Sequence, residues 1–561
     1  MHEPKPKRKN RWSCFTRLLV LGLLATIFAC RPTSTARTTL ESPAPLPPPT
    51  IVATPTVPVT VSRATAAASP TRSSHEIIVG TEYILIENPA RVKRLAAMLA
   101  PIRLSAAKPY AEHIEWGEMQ KTPGAPIDFS RLDSFVREFQ NAGFTEFLVA
   151  LKPHNPWAAR EYGKLFSRNP SPEPEYMDAF EAWIQQVVER YDADGIADLP
   201  GLKYPVRMYE IGSEFSSYEP EPVDDYLAML ARAHRAAHRA SADVLIAHAA
   251  FLTTTVFKAH PAPENYPAAF AAAPARFMEH PLEDMRKILD QPQLFDLINF
   301  HSIGDPYEIE ANVQWLTYEM QSRGYAKPII ISDTSPTPFL AWGFATACDK
   351  PPEWMGLVIP PATEADRCRL AAYFTKLVKQ DPATVRWTQS FAAQDMVTRV
   401  VIAAEQNILL VNTAFTEDLF WQKLEAFQAG AGTAAWGGLV DLERGERRAG
   451  FYALQQLMQH LRGYDSIQRV HLDEQRIRVY ELTRAERKSW IAWYESDKLL
   501  LPEDSIPTTA IDFSTDFSAV TIEALITQFG QTAPEKQTLR AAKGKLRLTL
   551  TPTPIFIERA P

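Results

Sequence analysis

Between about Glu76 and Arg462, short apolar runs of β type alternate with longer stretches whose apolar residues recur every three or four positions. In Tyr176–Tyr191, the residues Phe180, Trp183, Ile184, Val187 and Val188 form one apolar stripe, as expected of a helix with one buried face. The short runs predict strands near Glu76–Val79, Pro101–Ser105, Glu146–Leu151, Val206–Ile211, Val244–His248, Leu297–His301, Pro328–Ser332 and Ile408–Asn412. Helices are predicted over Leu132–Ala142, Tyr176–Tyr191, Val223–Ala240, Leu282–Leu289, Glu308–Gly324 and Phe451–Leu461. Strands alternating with helices predict an α/β fold, a (β/α)8 TIM barrel over 76–462, with any chemistry at the C-terminal ends of the strands.

After Gly463 the period changes to two, as in Arg476–Tyr480, Ser489–Tyr494, Leu546–Leu550 and Pro554–Ile557, which predicts a small all-β sandwich over 463–561. The stretch at about 339–386 fits neither period and is read as an insertion after the seventh strand. At the other end, basic residues up to Arg17 precede the apolar stretch Leu18–Ala29, so 1–29 reads as a signal peptide. Ile27-Phe28-Ala29-Cys30 resembles a bacterial lipobox, which implies that Cys30 carries a lipid, although Phe28 stands where a small residue is usual. A lipoprotein at the bacterial cell surface is the expectation, an ordinary secreted protein the alternative. Pro, Thr, Ala and Ser dominate 30–75, a composition that cannot bury a core and suits an extended tether.

Charge sharpens this picture. Of the 59 Lys and Arg, six lie in 1–29 against one acid, so the remaining 53 bases face 65 acids, a net of −12. A body of that sign repels polyanions, and no nucleic-acid partner is expected. Phosphate-binding loops, dinucleotide fingerprints, the Gly-x-Ser-x-Gly elbow and metal-ligand motifs are absent from the sequence, so no cofactor and no metal are expected. Cys348 and Cys368 lie close together in a chain read as exported, where they can form a disulfide or stay as two thiols.

Two predicted strand ends carry acids. Val206-Arg-Met-Tyr-Glu-Ile-Gly-Ser-Glu214 ends the fourth strand and Lys327-Pro-Ile-Ile-Ile-Ser-Asp333 the seventh, on opposite sides of a barrel mouth. Cleaving a glycosidic bond takes two carboxyl groups, one to protonate the leaving oxygen and one to act as nucleophile or base. With the stretches 124–133, 187–195, 298–304 and 438–454, these motifs resemble the clan A glycoside hydrolases over nearly all of 76–462, and the sandwich resembles their accessory β-domain. The resemblance implies an exported glycosidase acting on an oligo- or polysaccharide, with Glu214 as acid/base and Asp333 as nucleophile or base. Arg103 matches the Arg that pairs with the nucleophile. Trp116, His154, Asn155, Trp157, Ser213, His248 and His301 are the expected substrate contacts, and a monomer is expected.

The site also departs from the family. Ser213 replaces the Asn before the acid/base, Asp333 is a methylene shorter than the usual Glu, Ile303 replaces a Tyr, and Ile408–Asn412 has no Trp. A barrel that binds carbohydrate without cleaving it is therefore the second reading. A third, a solute-binding lipoprotein, would require two hinged lobes.

Overall fold

The computed structural model describes residues 76–160, 170–216, 221–273, 280–303, 305–335, 347–349, 364–417, 437–496 and 499–561, all within a compact unit spanning Arg63–Pro561. The expected signal, Cys30 and the tether lie outside the described residues, as do 339–346 and 350–363 of the expected insertion.

Eight parallel strands form the central sheet: β1 (Ile78–Ile84), β2 (Ala106–Pro109), β3 (Glu146–Leu151), β4 (Met208–Glu214), β5 (Leu245–Ala250), β6 (Ile298–Ile303), β7 (Ile329–Ser335) and β8 (Leu410–Phe415). Their order is β5-β4-β3-β2-β1-β8-β7-β6, and the bridges Ala247↔Leu297 and Phe251↔Phe300 join β5 to β6 and close the barrel. A helix follows each strand: α1 (Pro89–Leu99), α2 (Ser130–Asn141), α3 (Met177–Glu189), α4 (Val223–Ala240), α5 (Leu282–Leu289), α6 (Glu308–Ser322), α7 (Pro382–Glu405) and α8 (Ala449–Leu461). One closed (β/α)8 barrel, not two lobes, therefore carries any site.

Local chemistry explains the helix boundaries. The Asn88 side chain accepts the Ala90 and Arg91 N–H groups ahead of Pro89, and Asp381 does the same for Thr384 ahead of Pro382. α7 escapes the periodicity reading because it is buried on several sides, from Ala392–Ala393 through Asp395–Ala404, which leaves no single stripe. Its first residues, Pro382–Arg386, lie in the stretch expected to be an insertion, as does the helix Glu364–Val378. A disulfide joins Cys348 to Cys368, with Cα atoms 4.2 Å apart.

At the bottom of the barrel Ile78, Ala106, Leu148, Met208, Ala247, Leu297, Ile330 and Leu410, one from each strand region, fill the interior with an apolar plug. One step up, the interior turns polar: Lys108, Glu210, Asn299, Ser332 and Asn412 meet there, and Gly80 leaves room for them. A Cβ on Gly80 would lie 2.2 Å from Asn412 Oδ1 and 2.9 Å from Ala106 Cβ. This switch explains why β1, β4, β7 and β8 run past their predicted ends: the apolar run stops where the mouth begins, while the strand continues.

Beyond the barrel lie a hairpin of β9 (Val440–Asp441) and β10 (Glu446–Arg447), then β11 (Ser466–Arg469), β12 (Ile477–Arg484), β13 (Arg487–Tyr494), β14 (Thr509–Ser514), β15 (Ala519–Ala524), β16 (Lys536–Arg540), β17 (Lys545–Leu550) and β18 (Ile555–Arg559). The inner strands of the antiparallel sheet β11-β12-β13-β18-β15-β16 are covered on both faces, while the edge strand β16 is exposed. Val479, Trp490, Val520 and Ile557 face the pair β14-β17 in a sandwich core. Alternate residues Tyr480, Leu482, Ile491, Trp493 and Phe556 join the barrel's core.

Candidate active site

Three strands break register where the acids sit. The β4–β5 ladder shifts between Ile211 and Glu214, with Gly212 at φ 92°, and the β6–β7 ladder shifts between Phe300 and Ser302. β1 is irregular against both neighbours near Glu82, and Tyr83 adopts φ 55°. A bulge re-aims the side chains that follow it, and a non-glycine residue in the left-handed region is a strain commonly kept at functional sites. The bulged ends carry Glu82, Glu214 and Asp333.

His301, on β6, ties the mouth together. Its Nδ1 lies 2.7 Å from Glu214 Oε1, its Nε2 2.9 Å from Ser332 Oγ and 3.8 Å from Glu210 Oε1. Burial works against charge on the imidazole, but the nearby Glu210 carboxylate, the hydrogen bond to Glu214 and the charges of Glu214 and Asp333 push it up to about 9. Burial alone would raise Glu210, yet Lys108, 3.3 Å away, and His301 bring it down to about 2. Asn299 Nδ2 donates to the same carboxylate at 3.0 Å. A buried charge needs such partners, and here each cation has an acid beside it.

On the other side of the mouth, Tyr83 Oη donates to Asp333 Oδ2 at 3.2 Å, and the charge of Glu214 also reaches this phenol. Glu82 accepts the Thr334 N–H at 2.9 Å and lies 3.8 Å from Lys108 Nζ. Burial, then the charge of Asp333 and a hydrogen bond to it, push Glu82 well above the usual carboxylate range. Its carboxyl stands between Asp333 and Lys108.

Glu214, Asp333 and His301 thus converge, and Ser213 is half-buried one residue before Glu214. Three expected contacts, Arg103, Trp116 and His248, fall elsewhere. Arg103 is exposed at φ 65° in the turn before β2, at the barrel's opposite end, because Ala100–Ile102 form a 3-10 turn where the second strand was expected. Lys108 is the cation that β2 sends to the acids. Trp116 is fully buried against Trp157, Phe180 and Trp183, so it is core and not a sugar platform. The Trp157 indole N–H is taken by Gln120 O at 3.0 Å. His248 is buried, its Nδ1 on Ala249 O at 2.7 Å and its Nε2 accepting the Asn299 N–H at 3.2 Å. Burial lowers it to about 4, so a neutral ring staples β5 to β6.

In the loop after β3, half-buried His154 pairs with Glu115 at 3.0 Å, and buried Asn155 accepts the Trp157 N–H. Glu82, Tyr83, Lys108 and Glu210 were not anticipated. For Glu82 and Tyr83 the signal was the polar pair that follows the first apolar run after Gly80 and Thr81; for Lys108 it was a lone Lys after two alanines.

No protein-family profile matches the sequence, and no curated protein matches it. Solved structures do match its fold. A family 39 glycoside hydrolase from the gut symbiont Bacteroides cellulosilyticus WH2 is 11% identical with a TM-score of 0.52, over 88% of this chain and 82% of that one. A glucosidase from Croceicoccus marinus is 12% identical with a TM-score of 0.50, over 87% and 97%. A GH39 enzyme from Xanthomonas axonopodis pv. citri is 11% identical with a TM-score of 0.50, over 88% and 96%. At this identity the likeness establishes the architecture, a barrel with a β-sandwich.

Proposed function

We propose that the barrel is a glycoside hydrolase working on a cell-surface or extracellular glycan through Glu214 and Asp333. The observation that carries this reading is the convergence of both carboxylates at one mouth, Glu214 through His301 and Asp333 through Tyr83. The similar solved structures, glycoside hydrolases by name, add support from the fold. Glu214 protonates the leaving oxygen, and Asp333 attacks the anomeric carbon or activates a water. The departing group's proton is drawn from the Glu214–His301 hydrogen bond. Tyr83 stabilises Asp333 from β1, the task the family gives to the strand-six Tyr that Ile303 replaces. Lys108, buried among Glu82, Glu210 and Asp333, offsets the negative charge around it.

One observation favours the second reading, a barrel that binds glycans without cleaving them: His301 Nδ1 lies 2.7 Å from Glu214 Oε1 and already engages an oxygen of the acid that would have to reach the leaving group. Incubating the wild-type protein with a panel of aryl glycosides and polysaccharides separates the two. Turnover on any member supports the enzyme, whereas saturable binding with no product across the panel supports the binding protein. The same proposal holds the protein on the outer cell surface through a lipid on Cys30. Cys30→Ser is expected to move it from the membrane fraction to the soluble fraction, and an unchanged distribution contradicts the anchor.

A further inference from the structure

At the opposite end of the barrel from the acids, two histidines and one carboxylate point at a common centre. His234 and His238 stand one turn apart on α4, their ring centroids 4.3 Å apart, and Asp296 lies just before β6. Asp296 Oδ2 is 3.0 Å from His238 Nε2 and 3.6 Å from His234 Nε2. The longer separation exceeds a hydrogen bond, so hydrogen bonding to Asp296 does not by itself explain where His234 points. Around a tetrahedral ion with bonds of about 2.0–2.1 Å, neighbouring ligand atoms lie roughly 3.3 Å apart, a spacing the two distances bracket.

We propose that His234, His238 and Asp296 bind one divalent transition-metal ion of the Zn2+, Co2+ or Ni2+ class, with a water in the fourth position. Two imidazoles and a carboxylate are the donor set such borderline ions prefer over Ca2+ or Mg2+. All three residues are half-buried, which leaves an entry path and room for the water. Asp296 is already fixed: its Oδ2 accepts the Ile246 N–H at 2.9 Å and its own N–H donates to Ile246 O at 2.7 Å. Support of that kind orients a ligand before the ion arrives. Competing cations are drawn off, since Arg232, Arg235 and Arg239 on α4 all pair with Glu181 on α3. The ion would clamp α4 to the start of β6 and, through Ile246, to β5. No sequence motif announced it, because Asp296 is separated from the histidine pair by a whole strand and helix. This inference is independent of the proposed hydrolase activity.

The test is a Co2+ titration of the full-length protein after chelation. The expected result is one bound equivalent with the visible absorption of tetrahedral cobalt, displaced by Zn2+, together with a Tm raised by Zn2+. His234→Ala, at a partly exposed helix position, is expected to lose both signals while keeping its helical circular dichroism and metal-free Tm. His238→Gln repeats the test at the other ring. If the wild type binds no Co2+, or if His234→Ala and His238→Gln bind it as the wild type does, the site is overturned.

Discussion

The charge on His301 gives the mouth a pH signature. In the folded protein the imidazole is pushed up to about 9, against about 6.5 in an unfolded chain. A raised pKa of this kind adds stability that is complete below about pH 6.5 and drains away as the pH rises through 9. Glu210 works in the opposite direction: lowered to about 2, it adds stability above its unfolded value of about 4.3, lost as pH falls through 2. Wild-type Tm is therefore expected to decline between pH 6.5 and 9, and His301→Gln, measured over the same range, to show a flatter profile. Equal slopes would deny that His301 is charged in the fold. At this scale the sequence was half legible. Glu214 and Asp333 stood out because acids ended apolar runs. Lys108 did not, since its strand was expected at Pro101–Ser105, where a 3-10 turn stands instead; nor did Tyr83, since it sits in a bulge, which leaves no periodic trace.

Among the elements, most helices with one apolar and one wet face were legible, although α1, which buries only Val92, Leu95, Ala96 and Leu99, was not predicted. Met177–Glu189 matches its predicted stripe, and α4 and α5 match residue for residue. The reading failed where burial is not one-sided, as in α7, or where polar groups lie inside the barrel, as at the strand ends. Gly80 shows how tight that polar layer is. Gly80→Ala would drive a methyl group into Asn412 and Ala106, both buried, at an expected cost of roughly 1–3 kcal/mol, read by urea unfolding. A neutral result would mean that the barrel interior has slack and that the site is less rigidly framed than its contacts imply.

Across the whole molecule, the sandwich is a structural part of the barrel. Arg478 on β12 pairs with Glu310 on α6 at 2.6 Å and with Glu495 at 2.6 Å, and lies over the Tyr307 ring at 4.7 Å. Trp493 Nε1 donates to Tyr307 Oη at 2.8 Å. These contacts hold the start of α6, just after the strand that carries His301. Arg478→Ala leaves Glu310 with Arg469 as a weaker partner and is expected to destabilise the protein by roughly 1–3 kcal/mol in denaturant unfolding, the cost of a buried acceptor left partly unsatisfied. A change within about 0.5 kcal/mol would mark the contact as incidental.

All of this frames one chemical claim, that Glu214 and Asp333 form a working pair. The most direct measurement is kcat/KM of the wild type, Glu214→Gln and Asp333→Asn on the best aryl glycoside from the panel, each variant first shown to keep the wild-type Tm at neutral pH. Each single variant is expected to lose roughly 10²–10⁴-fold, the usual size of a lost acid, base or nucleophile. Turnover that survives either substitution within a factor of a few would contradict the two-carboxylate mechanism.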